Sequence, residues 1–289
     1  MGKYKIFVDG SSGTTGLRIA DRLAERPEFT ILPISEADRK DVHARAAVIN
    51  ESDLSFLCLP DDAAREVVPL LRPDVRVLDT STATRVAVPG CHATGFIAPV
   101  APLVELGLVP KTALLHCTSL TGYSGGGKKM IAQYEAERTD PALDAPRPYG
   151  LALHHKHLPE MAAITGLTTP PTFVPVVADY YAGMETMIPL DLPTLGLTAQ
   201  QVADALADYY AGQKMISVHP LNEGTDGGFL AANKLAGLDR LEIFCLANPD
   251  GTQMELISLF DNLGKGSSGA AVQCMNLMLG LDETAGLAL

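Results

Sequence analysis

Residues 4–16 read YKIFVDGSSGTTG, and this stretch decides the fold. Tyr4 to Asp9 form a β-rich apolar run, glycines follow at positions 10, 13 and 16, and the apolar spacing from Leu17 to Leu23 is helical. A strand, a glycine turn and a helix in this order are typical of the first unit of an open α/β sheet.

The following residues continue the alternation of strands and helices. The predicted elements are strands at Thr30 to Ile34, Leu54 to Leu59 and Val75 to Asp79, and a helix at Ala63 to Leu71. This alternation predicts a Rossmann-type parallel sheet covered by helices, and therefore an α/β fold class.

The pattern changes in the second half, which predicts an α+β domain. A helix at Cys91 to Leu106 and a strand at Ala113 to Ser119 lead into it. Its predicted elements are strands at Thr172 to Val177, Glu185 to Leu190, Phe229 to Lys234, Leu241 to Leu246 and Gln253 to Leu259, and helices at Ala199 to Tyr210 and Ala270 to Leu281. We expect the last helix to fold back on the first domain.

Composition excludes several functional classes. The chain has 289 residues, 47% hydrophobic and 19% charged, with a formal net charge of -12. That charge argues against nucleic-acid binding through phosphate contacts. No apolar run reaches the roughly 18 residues of a membrane span, and no signal-peptide pattern opens the chain, so we expect a cytoplasmic protein without a membrane partner. Five widely spaced cysteines without a Cys-x-x-Cys pair predict reduced thiols.

The spacing Gly10-x-x-Gly13-x-x-Gly16 is a variant of the dinucleotide fingerprint. Glycine lets a pyrophosphate approach backbone N–H groups, and the helix N-terminus favours its charge. The hydroxyl groups that could add hydrogen bonds belong to Ser11, Ser12, Thr14 and Thr15. A plain tight turn before a helix is the alternative.

The end of the second predicted strand bears on the choice of nucleotide. Ser35 stands where an NAD enzyme typically has a carboxylate, and Arg39 and Lys40 follow, which favours NADPH. Glu36 and Asp38 in the same loop argue the other way. Leu59-Pro60 and Thr80-Ser81 end later strands, at the edge where such sheets bind ligands; simple strand termination is their alternative role.

Cys91 follows a Pro-Gly turn and opens an apolar helix, which suits a nucleophile. A helix N-terminus is expected to lower the pKa of the thiol and to increase the thiolate that attacks carbonyl groups. A buried, inert cysteine is the alternative. Cys117, beside a glycine-rich stretch, is the credible rival.

Two polar stretches supply partners for such a nucleophile. His154, His155 and His157 lie just before Glu160, and an imidazole exchanges protons near neutral pH. A metal site is a weaker interpretation, because no second ligand group with matching spacing is present, and we predict no metal. The glycine-rich stretch 121–129 could hold the leaving group of an acyl phosphate, or could be a flexible loop.

Together these motifs resemble the shorter type of N-acetyl-γ-glutamyl-phosphate reductase, a relative of aspartate-semialdehyde dehydrogenase, and the resemblance covers nearly the whole chain. The motifs are the opening segment 5–16, residues 58–62, residues 79–82, Pro89-Gly-Cys91, residues 122–128, residues 155–160 and residues 261–269.

The resemblance implies NADPH-dependent reduction of an acyl phosphate to an aldehyde through a thioester on Cys91. It favours Cys91 over Cys117 as the catalytic thiol and His155 as the acid/base, with His157 in reserve. The implied substrate residues are Ser124, Gly125, Lys128 and His157. The implied cofactor residues are the glycine turn 10–16, Ser35, Arg39, Leu59, Ser81 and Asn262.

The resemblance also implies the domain organisation. Asn262 and Lys265 resemble the segment that returns to the cofactor, so residues 1–89 with 261–289 form the predicted NADP domain and residues 90–260 the catalytic domain. We expect a homo-oligomer, a dimer or a tetramer. One departure is that family members usually carry a Tyr-Gly-Phe/Leu-Pro-Glu element before Pro-Gly-Cys, where this chain runs from Arg85 almost directly to Val88. The competing interpretations are an aspartate-semialdehyde dehydrogenase-like enzyme and a non-catalytic NADP-binding protein.

Overall fold

The computed structural model describes residues 4–59, 61–79, 86–137 and 140–289. The chain divides into two compact units, residues 1–89 with 267–287 and residues 90–266 with 288–289. Residues 261–266 therefore lie in the second unit, whereas the sequence prediction assigned them to the first. The units are described separately below.

The first unit is built on a parallel sheet of five strands in the order β2-β1-β3-β4-β5. Its strands are β1 Tyr4–Asp9, β2 Phe29–Ile31, β3 Leu54–Leu57, β4 Arg76–Asp79 and β5 Val86–Ala87. Its helices are α1 Thr14–Ala24, α2 Val42–Glu51, α3 Asp61–Val67 and α9 Gly269–Met278. All strand pairs are parallel, which confirms the predicted sheet.

Both faces of this sheet are covered, because successive side chains of β1 point to opposite sides. Ile6 and Val8 pack with residues of α1 and α9, as the predicted return of the last helix requires. Phe7 packs on the other face with Ile49 of α2 and Val67 of α3. The carboxyl end of β1 then leads directly into the glycine turn.

The second unit contains a mixed sheet of seven strands in the order β10-β11-β12-β9-β6-β8-β7. Its strands are β6 His116–Gly122, β7 Arg147–Pro148, β8 Thr172–Ala178, β9 Met184–Asp191, β10 Ile216–Val218, β11 Leu241–Ala247 and β12 Gln253–Phe260. Its helices are α4 Cys91–Glu105, α5 Gly127–Glu135, α6 Leu158–Thr165, α7 Leu192–Leu195 and α8 Ala199–Tyr209. Its main core joins α4, α6 and α8 to one face of the sheet.

The structure corrects several predicted elements. No strand forms over Phe229 to Lys234: after an isolated bridge at Phe229 the chain makes turns, and Leu230 and Leu235 pack against the sheet from this loop. The strand predicted at Ala113 to Ser119 is shifted to His116–Gly122. The apolar pattern predicts no helix over residues 42–51 or 158–165, where α2 and α6 lie.

Within the described residues, no helix combines the length and apolar character needed to cross a membrane.

Candidate active site

Cys91 is the first residue of α4, and the preceding Gly90 is its N-cap. Gly90 offers no side-chain cap; its own N–H donates to the carboxylate of Glu160 on α6, at 3.1 and 3.2 Å from the two oxygens. Gly266 passes so close that a Cβ there would lie 3.0 Å from the Cβ of Cys91. The start of α4, with its thiol, is therefore fixed by α6 on one side and by the segment that follows β12 on the other.

Burial raises the pKa of the Cys91 thiol to about 11, although the His92 N–H and the Lys156 charge act in the opposite direction. The lowered thiol pKa expected from the sequence is therefore wrong for the free protein. Desolvation outweighs the helix N-terminus because burial penalises the charged form. Cys117 has a raised pKa for the same reason, and it lies wholly within the core.

His92 is a member of the site to which the sequence assigns no role. Its side chain is 3% exposed. Nδ1 lies 2.8 Å from Ser119 Oγ, and Nε2 lies 2.7 Å from the hydroxyl of Tyr149. Burial lowers the pKa of His92 well below its ordinary value, with contributions from the neighbouring histidines and Lys156, so the ring is neutral.

His155 and His157 pack against His92 and against each other. The ring centroids are 5.7 Å apart for His92 and His155, 5.6 Å for His92 and His157, and 4.8 Å for His155 and His157. His157 also lies against Gly90, where a Cβ would come within 2.3 Å of its Nε2. His157 thus lies against the residue that precedes Cys91, and His155 lies against the residue that follows it.

These two histidines differ in exposure and in hydrogen bonding. His157 is 9% exposed, its Nδ1 has no hydrogen-bond partner among the described residues, and burial lowers its pKa to about 3. His155 is half-buried, and its Nδ1 accepts a hydrogen bond from the backbone N–H of His157 at 3.3 Å. Because Nδ1 accepts, the proton of a neutral His155 lies on Nε2.

The glycine-rich stretch forms the end of β6, a 3-10 turn at Tyr123–Gly126 and the start of α5. Ser124 is buried and accepts a hydrogen bond of 3.0 Å from Asn262 Nδ2, while Asn262 Oδ1 accepts from the Gly183 N–H. A Cβ at Gly125 would lie 3.5 Å from the same Asn262 amide. Lys128 is exposed in the first turn of α5. The structure therefore joins Asn262 to Ser124 and Gly125, two of the predicted substrate residues.

The glycine turn in the first unit has the geometry that the sequence predicts. Gly10 has φ +86°, and a Cβ there would lie 2.8 Å from Leu59 Cδ2. A Cβ at Gly16 would lie 2.3 Å from the Gly10 carbonyl oxygen. Helix α1 follows with Gly13 as its N-cap, without a side-chain cap and without an acidic residue in its first turn. Since the first N–H groups of any helix lack intrahelical partners, an uncapped start such as that of α1 suits an anion.

The other predicted cofactor residues are only partly explained. Ser11 and Ser12 are exposed, Thr14 opens α1, and the Thr15 hydroxyl lies 3.1 Å from Ser267 Oγ. In the loop after β2, Ser35 Oγ donates to Asp38 and Arg39 pairs with Glu36. Pro60, Thr80 and Ser81 lie outside the described residues.

No group of three or more His, Cys, Asp or Glu side chains that could hold a metal ion occurs within the part of the chain that the structure describes.

Three comparisons relate the chain to known proteins. The family model described as "Semialdehyde dehydrogenase, dimerisation domain" matches residues 91–262. The chain is 40% identical to N-acetyl-gamma-glutamyl-phosphate reductase 2 of Nostoc sp., with 99% of this chain and 100% of the relative covered. It is 41% identical to the N-acetyl-gamma-glutamyl-phosphate reductase of Rhizobium meliloti, with 96% and 99% covered.

The alignment to the Nostoc protein extends over 322 residues, more than the 289 of this chain, so that relative carries residues without a counterpart here. Among solved structures, aspartate semialdehyde dehydrogenase II from Vibrio cholerae matches with a TM-score of 0.69 at 14% identity, covering 96% of this chain and 98% of that one. This last likeness shows the fold alone.

Proposed function

The chain belongs to the N-acetyl-gamma-glutamyl-phosphate reductase family, and we propose that it reduces N-acetyl-γ-glutamyl phosphate to N-acetylglutamate semialdehyde and phosphate, with NADPH and through a thioester on Cys91. The observation that carries this proposal is the thiol at the N-terminus of α4, beside a packed group of three neutral histidines.

Acyl transfer begins at Cys91. Its sulfur attacks the γ-carbonyl carbon, the carbon–oxygen bond to phosphate breaks, and phosphate leaves with the electron pair. Because its pKa is raised, the thiol of the free protein keeps its proton, and this proton passes to the departing phosphate as the carbon–sulfur bond forms. Ser124, the backbone around Gly125 and Lys128 support the departing phosphate, since the first turn of α5 offers N–H groups and has no acidic side chain.

His155 is the proposed acid/base. Its neutral ring carries the proton on Nε2, so this atom can donate to the carbonyl oxygen as negative charge develops there. His157 is more deeply buried, packs on Gly90, the residue before the thiol, and is the reserve candidate.

NADPH fits the first unit on structural grounds. The turn at Gly10, Gly13 and Gly16 leaves no room for a Cβ at two of its positions and presents the uncapped start of α1. These residues would hold the pyrophosphate, with Ser35 and Arg39 towards the adenosine ribose. NADPH, when bound, supplies the hydride that reduces the acyl carbon. Arg39 would then share its charge between Glu36 and a 2′-phosphate.

We further propose that the chain works in the cytoplasm as a homo-oligomer, a dimer or a tetramer. The description of the matched family model names a dimerisation domain, and the match covers the unit that contains Cys91. Sedimentation velocity at several protein concentrations measures the state; a monomer throughout would contradict this proposal.

The reverse reaction tests the activity. NADP-dependent oxidation of N-acetylglutamate semialdehyde should require phosphate, and nicotinamide absorbance follows it for the wild type, Cys91→Ser and the matched Cys117→Ala. Loss of turnover in Cys91→Ser with retention in Cys117→Ala supports the thioester. Turnover that survives Cys91→Ser refutes it. If the wild type binds NADPH but shows no turnover, the chain is a non-catalytic NADP-binding protein. If it oxidises aspartate semialdehyde in preference to N-acetylglutamate semialdehyde, the aspartate-semialdehyde dehydrogenase-like interpretation is favoured.

A further inference from the structure

A chain of hydrogen bonds passes through His92, the residue that follows the thiol. Thr186 Oγ1 on β9 lies 3.1 Å from Ser119 Oγ on β6, Ser119 lies 2.8 Å from His92 Nδ1 on α4, and His92 Nε2 lies 2.7 Å from the Tyr149 hydroxyl. A Cβ at Gly95 would lie 2.2 Å from Thr186 Oγ1, so α4 approaches this chain at a residue that lacks a side chain. Four separate elements are thus joined through one imidazole.

The last member of the chain, Tyr149, begins the loop 149–157 that carries the proposed acid/base. The middle of this loop is exposed to solvent: Leu151 is 74% exposed and Leu153 is 60% exposed. Leu153 also has φ +54°, in the left-handed region that disfavours a residue with a side chain. External contacts at the ends of the loop must therefore fix its path.

Those contacts are provided at one end by Tyr149 and at the other by the packed rings. The Tyr149 N–H donates to the Pro175 carbonyl oxygen, and its hydroxyl is fixed by His92. The rings of His155 and His92 both lie edge-on to Phe173 of β8, at 5.2 and 5.3 Å between centroids. His92 therefore contacts the loop at both ends, while its own backbone follows Cys91 directly.

We propose that His92 is a positioning residue, which sets the acid/base ring of His155 relative to the Cys91 thiol by holding the loop 149–157 against α4. This inference rests on the proposed function and adds a residue to it. A neutral, doubly hydrogen-bonded ring suits this role because it has one preferred orientation and does not exchange protons with the reacting groups.

The kinetic test compares three substitutions. His92→Leu removes both hydrogen bonds at similar volume. His92→Gln keeps an amide that can donate to Tyr149. His219→Leu is the control: it removes a half-buried histidine elsewhere in the same unit, where it bonds Glu242 and stacks on Phe244.

A catalytic distance that shifts by about 1 Å costs on the order of a hundredfold in rate. We therefore expect kcat to fall roughly tenfold to a hundredfold in His92→Leu, with KM within about twofold, and to recover in part in His92→Gln. Unchanged kcat in a folded His92→Leu, or an equal loss in His219→Leu, overturns the proposal.

A measurement without turnover separates this inference from the proposed activity. In ¹⁵N and ¹H spectra of ring-labelled protein, His155 of the wild type should give one set of sharp ring signals, and His92→Leu should broaden or multiply them. His219→Leu should leave them unchanged. One sharp, unshifted His155 signal set in folded His92→Leu overturns the positioning role even if the wild type proves to be inactive.

Discussion

The titration of Cys91 is the most direct test of the charge balance in the site. With a pKa of about 11, the thiol is ionised to only about 0.1% at pH 8, whereas an unburied cysteine of pKa about 8.5 is ionised to roughly a quarter. Since the thiolate is the reactive form, alkylation should rise about tenfold for each pH unit and should not level off below pH 9.5.

Iodoacetamide labelling, quantified by mass spectrometry of the Cys91 peptide between pH 6 and 9.5, measures this rise. Peptide-level detection is needed because Cys58 and Cys274 are also only partly buried. Two substitutions have opposite expected effects: Lys156→Gln removes a charge that lowers the thiol pKa, and Glu160→Gln removes one that raises it. At a fixed pH, labelling should be slower in the first and faster in the second. A wild-type rate that levels off below pH 9 would refute the argument that burial dominates.

Three further substitutions test other parts of the structure. Gly16→Ala places a Cβ 2.3 Å from a backbone oxygen, so NADPH binding, measured by fluorescence titration, should weaken at least tenfold. Unchanged affinity would contradict the proposal that the glycine turn holds the pyrophosphate. Arg45→Met leaves the buried Asp9 carboxylate without its 2.6 Å partner and should lower the free energy of unfolding by about 3–5 kcal/mol in urea, partly restored by adding Asp9→Asn. Burial and the Glu185 charge raise the pKa of the Glu255 carboxyl to about 7, so its ionised form destabilises the fold. Glu255→Gln should therefore stabilise the protein above pH 7 and not below pH 4.5. Equal unfolding curves of the variant and the wild type at pH 8 would count against this.

Local sequence signals predicted the elements that depend on neighbouring residues. The glycine turn, α1 and the start of α4 follow from short stretches, and each lies where the sequence places it. Helices α2 and α6 carried usable signals as well: the Asp41 side chain caps α2 through the His43 and Ala44 N–H groups, and Pro159 stands in the first turn of α6. Apolar periodicity alone does not reveal them, since both are short.

The strand predicted at Phe229 to Lys234 failed for a tertiary reason. One of its apolar residues does contribute to a core, since Leu230, together with Leu235 just beyond the predicted strand, packs with Phe244 and Leu259. These leucines lie in turns that cover one face of the sheet, beside strands β11 and β12, which pair with each other. An apolar segment of this length does not distinguish a strand from a covering loop.

Within the site, the sequence identifies single residues but not the hydrogen bonds between residues that lie far apart in the chain. Cys91, His155 and His157 stand in recognisable motifs, whereas Ser119 joins His92 across 27 positions of sequence and Tyr149 joins it across 57. The sequence prediction of a lowered Cys91 pKa was wrong for the same reason. Helix position is local and predicts a lower value, but desolvation depends on segments far along the chain, such as Gly266.

The same burial acts on the Cys91 thiol and on the three histidines packed beside it, and this sets how the site works. It raises the pKa of Cys91 and lowers those of the three histidines, so the sulfur and the imidazoles are all uncharged at neutral pH. Lys156 is the cation that acts on all four. An acyl phosphate would therefore bring negative charge to a site whose sulfur and imidazoles are uncharged, where hydrogen bonds to charge are stronger than in water. Because that negative charge disfavours a thiolate, the thiol loses its proton only as the carbon–sulfur bond forms, and the departing phosphate takes the proton up. Cys91 should therefore be slow to react with general alkylating agents and yet fast in turnover.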